Sequence, residues 1–149
     1  MTNSSIEIRP LEQADEAQWR ALWTKYLEFY ETSLAEAIYA STFERLLSDD
    51  PWSPSCFIAV IEGRAVGLVH YLYHAHCWRL ERVCYLQDLF ADPSVRGQGI
   101  GRKLIEAVYA QAEKDEAPSV YWLTQKSNHE ARKLYDRVAT LTPFIKYQR

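Results

Sequence analysis

Residues 89–103 read Leu-Phe-Ala-Asp-Pro-Ser-Val-Arg-Gly-Gln-Gly-Ile-Gly-Arg-Lys, and this stretch decides the fold. A strand pattern enters it and stops at Asp92-Pro93, and an amphipathic helix pattern leaves it. The alternate glycines leave backbone N–H groups uncovered by side chains, and the helix start adds unpaired N–H groups and the positive end of its dipole. The segment is therefore predicted to bind a pyrophosphate.

Other glycine motifs fit this segment less well. A phosphate-binding P-loop needs Gly-Lys-Ser/Thr, but Gly101 is followed by Arg102 and Lys103. A dinucleotide fingerprint needs the spacing G-x-G-x-x-G, whereas the spacing here is G-x-G-x-G, in mid-chain after a predicted hairpin. A glycine-rich turn that only reverses the chain stays open as an alternative, although Arg96, Arg102 and Lys103 favour an anionic ligand.

Apolar periodicity predicts the other elements. Strands are predicted at 6–8, 56–61, 65–73, 83–91, 119–124 and 144–147, and the second and third form a hairpin with a tight turn. Helices are predicted over 17–30, from Ser33 as a cap to 47, from the end of the glycine cluster to about 114, and from 128 onward. The order β-α-α-β-β-β-α-β-α-β indicates an α/β chain of the α+β type, with one domain over residues 1–149.

The composition limits the possible partners. The chain has 149 residues, of which 48% are hydrophobic, and its net charge is −3 with both signs mixed, so nucleic acid is not expected as a partner. No run approaches the ~20 apolar residues of a membrane helix, and the first nine residues lack an export signal. Cys56, Cys77 and Cys84 form no CxxC pair and cannot all pair with one another, which favours a reducing, cytoplasmic compartment.

Two motifs resemble those of the GNAT superfamily of N-acetyltransferases. Residues 96–101, Arg-Gly-Gln-Gly-Ile-Gly, resemble its coenzyme A signature, Arg/Gln-x-x-Gly-x-Gly/Ala, between a strand and a helix as in that family. Residues 128–135, Asn-His-Glu-Ala-Arg-Lys-Leu-Tyr, are similar to its Asn-x-x-Ala-x-x-Leu/Phe-Tyr helix. The resemblance extends over nearly the whole chain.

A narrower resemblance concerns one branch of the superfamily, which contains histone, polyamine and D-amino-acid acetyltransferases. The segments that carry it are the aromatic helix 19–30, Asp-Leu-Phe at 88–90 and Pro-Ser-Val-Tyr-Trp at 118–122. One departure is Ala139, which stands where most relatives have a glycine. The last strands are therefore expected to differ in arrangement.

The resemblance implies a fold, an activity and a partner. The fold is the GNAT fold, a mixed and mostly antiparallel sheet flanked by about four helices. The activity is direct transfer of acetyl from acetyl-CoA to a primary amine of a small molecule or protein, in a homodimer. A non-catalytic acyl-CoA-binding module is the alternative. The implied coenzyme contacts are Leu89, Phe90, Ala91, Arg96, Gly97, Gln98, Gly99, Ile100, Gly101, Arg102, Asn128 and Tyr135.

The catalytic residues follow partly from the same resemblance. Tyr135 matches the family's general acid, although a tyrosine that only packs against the helix remains the alternative. Some relatives carry a glutamate base where Gln87 falls, and glutamine cannot take a proton. Asp88 either acts as the base through water or only bonds neighbouring backbone, and strand alternation predicts that Gln87 and Asp88 face opposite sides.

Three histidines share parity near one predicted strand: His70, His74 and His76. They could project to one face, but no further ligand of suitable geometry is evident, so no metal is expected. Lining of the acceptor cleft and plain surface exposure both stay open for them.

Overall fold

The computed structural model describes residues 5–149. Five strands form one sheet: β1 (Ile6–Pro10), β2 (Ser55–Ile61), β3 (Arg64–His74), β4 (Val83–Ala91) and β5 (Val120–Tyr121). Four α-helices accompany it: α1 (Glu16–Phe29), α2 (Glu36–Leu46), α3 (Ile100–Lys114) and α4 (His129–Val138). Short 3-10 turns lie at Gln13–Asp15 and Pro93–Val95.

The sheet follows chain order, β1-β2-β3-β4-β5. The first four strands are antiparallel to their neighbours, and β5 runs parallel to β4. A mixed, mostly antiparallel sheet flanked by four helices confirms the fold predicted from the sequence.

Helices cover both faces of the sheet. Leu68 packs in the apolar cluster of α1 and α2, whereas its neighbour Val69 packs in the cluster of α3. This alternation is the two-residue period of a strand that is buried on both sides. It explains why β3 reads as an almost continuous apolar run.

Gly67 in β3 lets α3 approach the sheet closely. A Cβ at this position would lie 2.8 Å from Ile100 Cγ2, 3.0 Å from the Phe90 carbonyl oxygen and 3.2 Å from Leu104 Cδ1. Two of these neighbours belong to the first five residues of α3, and the third lies on β4. The glycine therefore sets the distance between the start of α3 and the strands beside it.

Three predictions about secondary structure were wrong. The N-cap of α2 is Ala35, not Ser33, because residues 32–35 remain non-helical after the left-handed Glu31 (φ 56°). The strand predicted at 119–124 shortens to two residues, because β4 diverges from it. The strand predicted at 144–147 is absent, because within residues 5–149 no backbone group of that segment finds a partner strand.

A membrane-spanning helix needs a minimum length and a high hydropathy. Within the described part of the chain, none of the helices is both long enough and apolar enough to cross a bilayer.

Gly67→Ala is expected to lower the free energy of unfolding by about 1–3 kcal/mol, because the added methyl overpacks against Ile100 and the Phe90 carbonyl. Urea denaturation measures the loss. Ile100→Ala opens space beside the new methyl, so the double variant should lose less than the sum of the two single variants. Strict additivity, or an unchanged midpoint for Gly67→Ala, would show that α3 has room to move.

Candidate functional site

The glycine loop adopts the left-handed backbone that glycine favours. Gly97 has φ 78° and Gly99, the N-cap of α3, has φ 74°. A Cβ on either residue would meet nothing within 4 Å, so the reason for glycine is the backbone angle, not crowding. The space in front of the loop is open and can admit a ligand.

The N–H groups around this loop point to an anion. Within residues 5–149, those of residues 97–102 donate no hydrogen bond, and the first helical bond runs from the Lys103 N–H to the Gly99 carbonyl. The partial positive charge of a helix N-terminus adds to these free donors. Arg96 and Lys103 form no ion pair in the described chain, whereas Arg102 Nε pairs with Glu106 Oε1 at 2.9 Å. A pyrophosphate therefore fits this loop.

Asp92 anchors the loop to the rest of the fold. Its buried carboxylate accepts a hydrogen bond from the Ser94 N–H at 3.0 Å and forms an ion pair with Lys25 Nζ at 3.1 Å. The bond from Ser94 and the charge of Lys25 hold the pKa of Asp92 below its usual value. Its own N–H donates to the Val66 carbonyl at 2.7 Å. The loop is thus tied to both α1 and β3.

The end of β4 lies beside a gap in the sheet. Leu89, Phe90 and Ala91 pair with β3 on one side. On the other side β5 pairs only with Cys84 and Tyr85, so no described strand bonds β4 beyond that point. The strand edge that leads to the glycine loop is consequently available to an extended ligand.

A β-bulge reshapes β4 just before this edge. His70 pairs with Asp88 and Tyr71 pairs with Leu86, which leaves Gln87 without a partner residue on β3. Gln87 and Asp88 both line one cavity of about 230 Å³. The prediction that they face opposite sides was wrong, because the extra residue of a bulge breaks the alternation of side chains.

The cavity lies where α1 and α2 meet β3 and β4. Its wall is apolar where Trp23 of α1, Leu34 of the segment between the helices and Ile38 of α2 line it. Its charged residues are Asp88 and Arg45. The complete lining is Trp23, Leu34, Ile38, Thr42, Arg45, Leu46, Pro54, His70, Gln87 and Asp88.

Two buried or half-buried side chains hold the Asp88 carboxylate. Tyr26 on α1 donates its hydroxyl to Oδ1 at 2.8 Å, and His70 Nδ1 lies 2.8 Å from Oδ2. Trp19 Nε1 bonds the other ring nitrogen of His70 at 2.9 Å. Asp88 therefore bonds side chains in this structure, not the neighbouring backbone considered from the sequence.

Tyr135 lies close to the same group of residues. Burial, with a smaller contribution from Tyr30, raises the pKa of Tyr135 to about 12. Burial and the charge of Asp88 also raise the pKa of Tyr26, with smaller contributions from Tyr30 and Tyr135. Tyr26 is thus near both the predicted acid and the predicted base, and both phenols are protonated at neutral pH.

The remaining predicted residues are only partly brought together. Asn128 is the N-cap residue of α4, and its amide nitrogen bonds Thr124 Oγ1 at 3.3 Å. Leu134 of α4 reaches the first turn of α3, where a Cβ on Gly101 would lie 3.3 Å from its Cδ2. This contact brings the helix of Tyr135 beside the glycine loop.

The three histidines do not share a site. His70 is buried and lines the cavity, whereas His74 bonds Tyr121 and His76 accepts a bond from the Trp78 N–H. Across residues 5–149, no three side chains of metal-ligating type converge. His70 and His74 are four residues apart on β3, roughly 13 Å along an extended strand, and His76 lies beyond the end of that strand, so equal parity does not bring the three side chains together.

Several functional residues were missed in the sequence. No sequence pattern gives Trp19, Tyr26 or Arg45 a role at the site. Trp19 and Tyr26 join the site through bonds between distant elements, such as the bond between Tyr26 and Asp88 across 62 positions. Arg45 joins it by lining the cavity that α2 forms with the sheet. No local pattern contains such a signal.

Comparison with known proteins supports the resemblance. Residues 15–139 match the acetyltransferase (GNAT) family. The chain is 38% identical over 153 aligned positions to the D-amino-acid N-acetyltransferase HPA3 of Saccharomyces cerevisiae, an alignment that covers 100% of this chain and 93% of that protein.

Solved structures show the same fold at low identity. AAC(6')-Iy in complex with a bisubstrate analogue, CoA-S-monomethyl-acetylneamine, superposes with a TM-score of 0.85 at 21% identity, over 98% of each chain. The ribosomal-protein-alanine N-acetyltransferase of Brucella melitensis gives a TM-score of 0.78 at 21% identity, over 97% of this chain and 98% of that one.

Proposed function

Because this chain belongs to the GNAT family of acetyltransferases and is an N-acetyltransferase, we propose that residues 1–149 act as one catalytic domain with acetyl-CoA bound along β4 and the glycine loop. The single observation that carries this site is the row of free N–H groups at residues 97–102, at the start of α3. When bound, acetyl-CoA supplies the acetyl group as a thioester.

Different segments of the chain bind different parts of acetyl-CoA. The loop and the helix start hold the diphosphate, and the free edge of β4 bonds the extended arm. Arg96 supplies a positive charge that forms no ion pair in residues 5–149, although Lys133 and, more weakly, Arg96 lower the pKa of the Glu130 carboxyl. Arg102 first has to leave Glu106. The proposed contacts are Leu89, Phe90, Ala91, Arg96, Gly97, Gln98, Gly99, Ile100, Gly101, Arg102, Asn128 and Tyr135.

Tyr135 serves as the proton donor beside the leaving sulfur. With a pKa of about 12, its phenol is protonated throughout the physiological range. A thiol has a pKa of about 8.5, so complete transfer from this phenol to a thiolate costs roughly 5 kcal/mol in the resting site. Tyr135 Oη therefore acts first as a hydrogen-bond donor, and it keeps its proton until negative charge develops next to it.

Asp88 serves as the proton acceptor for the incoming amine. Its carboxylate lies in the cavity wall, held by Tyr26 and His70. An ammonium group must lose one proton before its nitrogen can attack, and a carboxylate oxygen can take that proton directly or through a water molecule. Gln87, beside it, has no proton-accepting chemistry and contributes only an amide to the same wall.

Tyr135→Phe is expected to lower kcat roughly 10²-fold or more, because it removes the proton donor. Release of free thiol from acetyl-CoA with a panel of amines measures turnover, and calorimetry measures acetyl-CoA affinity, which should change little. Tyr147→Phe, which removes an exposed phenol from the tail, is the control.

The possible outcomes separate the alternatives. Unchanged turnover in Tyr135→Phe would remove the proton-donor role. Tight acetyl-CoA binding with no turnover on any amine would favour the non-catalytic binding module. An unmoved melting temperature at saturating acetyl-CoA would refute the coenzyme site itself.

The acceptor class that the cavity favours is a free amino acid with an apolar side chain. At about 230 Å³ the cavity is below the roughly 300–1,000 Å³ of drug-sized sites, so it suits one small molecule. Asp88 can face the amine of the amino acid, and Arg45 can face its carboxylate. The apolar part of the wall can contact its side chain. The yeast relative named for D-amino acids supports the same class.

Arg45 is suited to bind the carboxylate of the acceptor because its guanidinium forms no ion pair in residues 5–149. Its guanidinium bonds only Thr42 Oγ1 at 3.2 Å and the Ser41 carbonyl at 3.4 Å. Within residues 5–149 it forms no ion pair, unlike Arg9 or Arg20, which bond Asp15 and Glu36. A carboxylate of the acceptor can therefore bind it without displacing a partner.

Arg45→Met is expected to raise KM for D- or L-phenylalanine about 10-fold to 100-fold, the value of a hydrogen-bonded charge. It should leave KM for phenethylamine, which lacks the carboxylate, nearly unchanged. Lys114→Met removes a cation from the far end of α3 and serves as the control. Equal effects on both substrates would refute the role of Arg45, while turnover of phenethylamine alone would refute only the amino-acid class.

The enzyme is further proposed to be a cytoplasmic homodimer. The exposed Cys77 is a free thiol, which suits a reducing compartment. β5 forms one edge of the sheet, and the tail after α4 has no helix or strand in residues 5–149. A second copy of the chain would cover the exposed apolar residues of this region, which are Tyr121, Leu123, Leu141, Phe144, Ile145 and Tyr147.

Light scattering should give twice the mass of the chain at micromolar concentration. Phe144→Lys with Ile145→Lys should halve that mass, because two charges are placed in an apolar interface. Trp78→Lys, in another exposed loop, should leave the dimer intact. A monomer in the unsubstituted protein would refute the proposal.

A further inference from the structure

The cavity presents two side chains that are able to take a proton, and their hydrogen bonds distinguish them. Histidine is the most frequent general base in enzymes. His70 lines the cavity, and it is the residue of β3 that pairs with Asp88 of β4. The ring is only 3% exposed, and both of its nitrogens already have partners. What those partners can donate decides what His70 can do.

Trp19 determines the tautomer of His70. An indole N–H can only donate, so the nitrogen that it meets at 2.9 Å, Nε2, must carry the lone pair. A neutral imidazole has one proton, which is then on Nδ1 and faces Asp88 Oδ2 at 2.8 Å. The chain of bonds runs in one direction, from Trp19 through His70 to Asp88.

This arrangement removes His70 as the proton acceptor. The lone pair on Nε2 is occupied by Trp19, which is fully buried and stacked on Trp23 at 5.1 Å between ring centroids. An amine in the cavity could protonate Nε2 only after that bond breaks. The free lone pairs that remain belong to the two oxygens of Asp88, each of which accepts one bond from His70 or Tyr26.

We propose that His70 is a positioning residue, held as the Nδ1–H tautomer by Trp19, that together with Tyr26 orients Asp88 to accept the proton of the amine. This inference rests on the proposed function, because it assigns roles within the same acceptor site. Donors on two different elements, α1 and β3, restrict the carboxylate to one orientation at the β-bulge. The remaining lone pairs of its oxygens are the ones left for the substrate.

The tautomer can be tested without any turnover. Nitrogen-15 NMR of the histidine rings in the ligand-free protein should show His70 with a protonated Nδ1 and an unprotonated Nε2, and His70→Asn assigns the signals. Trp19→Phe should change the Nε2 signal, because the N–H donor is lost. Trp23→Phe removes the neighbouring indole, whose N–H has no partner in residues 5–149, and should leave the tautomer unchanged. A protonated Nε2 in the unsubstituted protein would overturn the proposal.

Kinetics test the positioning role. Asp88→Asn should lower kcat roughly 10²-fold to 10⁴-fold, as loss of a general base does. His70→Leu should lower kcat by a smaller factor, about 10-fold to 100-fold, with KM for acetyl-CoA unchanged. His70→Asn should recover much of this loss, because its amide N–H can replace Nδ1–H as a donor to Asp88.

Three results decide between the roles. If His70→Asn is as inactive as Asp88→Asn, His70 is the base and the proposal is wrong. If His70→Leu is fully active, the bond to Asp88 has no function and the proposal is again wrong. If the unsubstituted enzyme turns over no amine, the proposed function fails, while the NMR result still decides whether Trp19 sets the tautomer. Circular dichroism verifies that each variant is folded.

Discussion

The site depends on β4 being bonded along one edge and free along the other. Antiparallel pairing with β3 holds Leu89, Phe90 and Ala91 in place, while β5 contacts β4 only at Cys84 and Tyr85. A fully paired strand would have no backbone groups left for a ligand. The divergence therefore leaves this edge free for an extended ligand, such as the proposed coenzyme arm, and it also shortens β5.

The coenzyme side of the site depends on a close packing contact. Without a Cβ at Gly67, the first turn of α3 lies against β3 and β4, and its free N–H groups stand at the end of the unpaired strand edge. Asp92 then ties the loop between them to α1 and β3. Because neither contact involves a ligand, the loop is organised before any ligand arrives, which lowers the entropy cost of binding.

The acceptor side depends on the bulge at Gln87. The extra residue turns Asp88 into the cavity, where Tyr26 and His70 can reach its two oxygens. The same cavity contains Arg45, a cation without an ion pair in residues 5–149, and part of its wall is apolar. Asp88 and Arg45 thus line one cavity that fits a single small molecule. The choice of acceptor therefore depends on the β-bulge that places Asp88 in this cavity.

The sequence by itself determined most of the elements through apolar periodicity, and it placed the glycine loop between a strand and a helix. The fold followed from the resemblance of two motifs to those of the GNAT family. Only the tertiary structure decided that Gln87 and Asp88 share a cavity, that residues 144–147 form no strand and that Trp19 controls His70. Those outcomes depend on residues that are far apart in the sequence. Trp19 and His70 are separated by 51 positions, and Tyr26 and Asp88 are separated by 62. A pattern within one strand or helix carries no information about which residue of another element will lie opposite it.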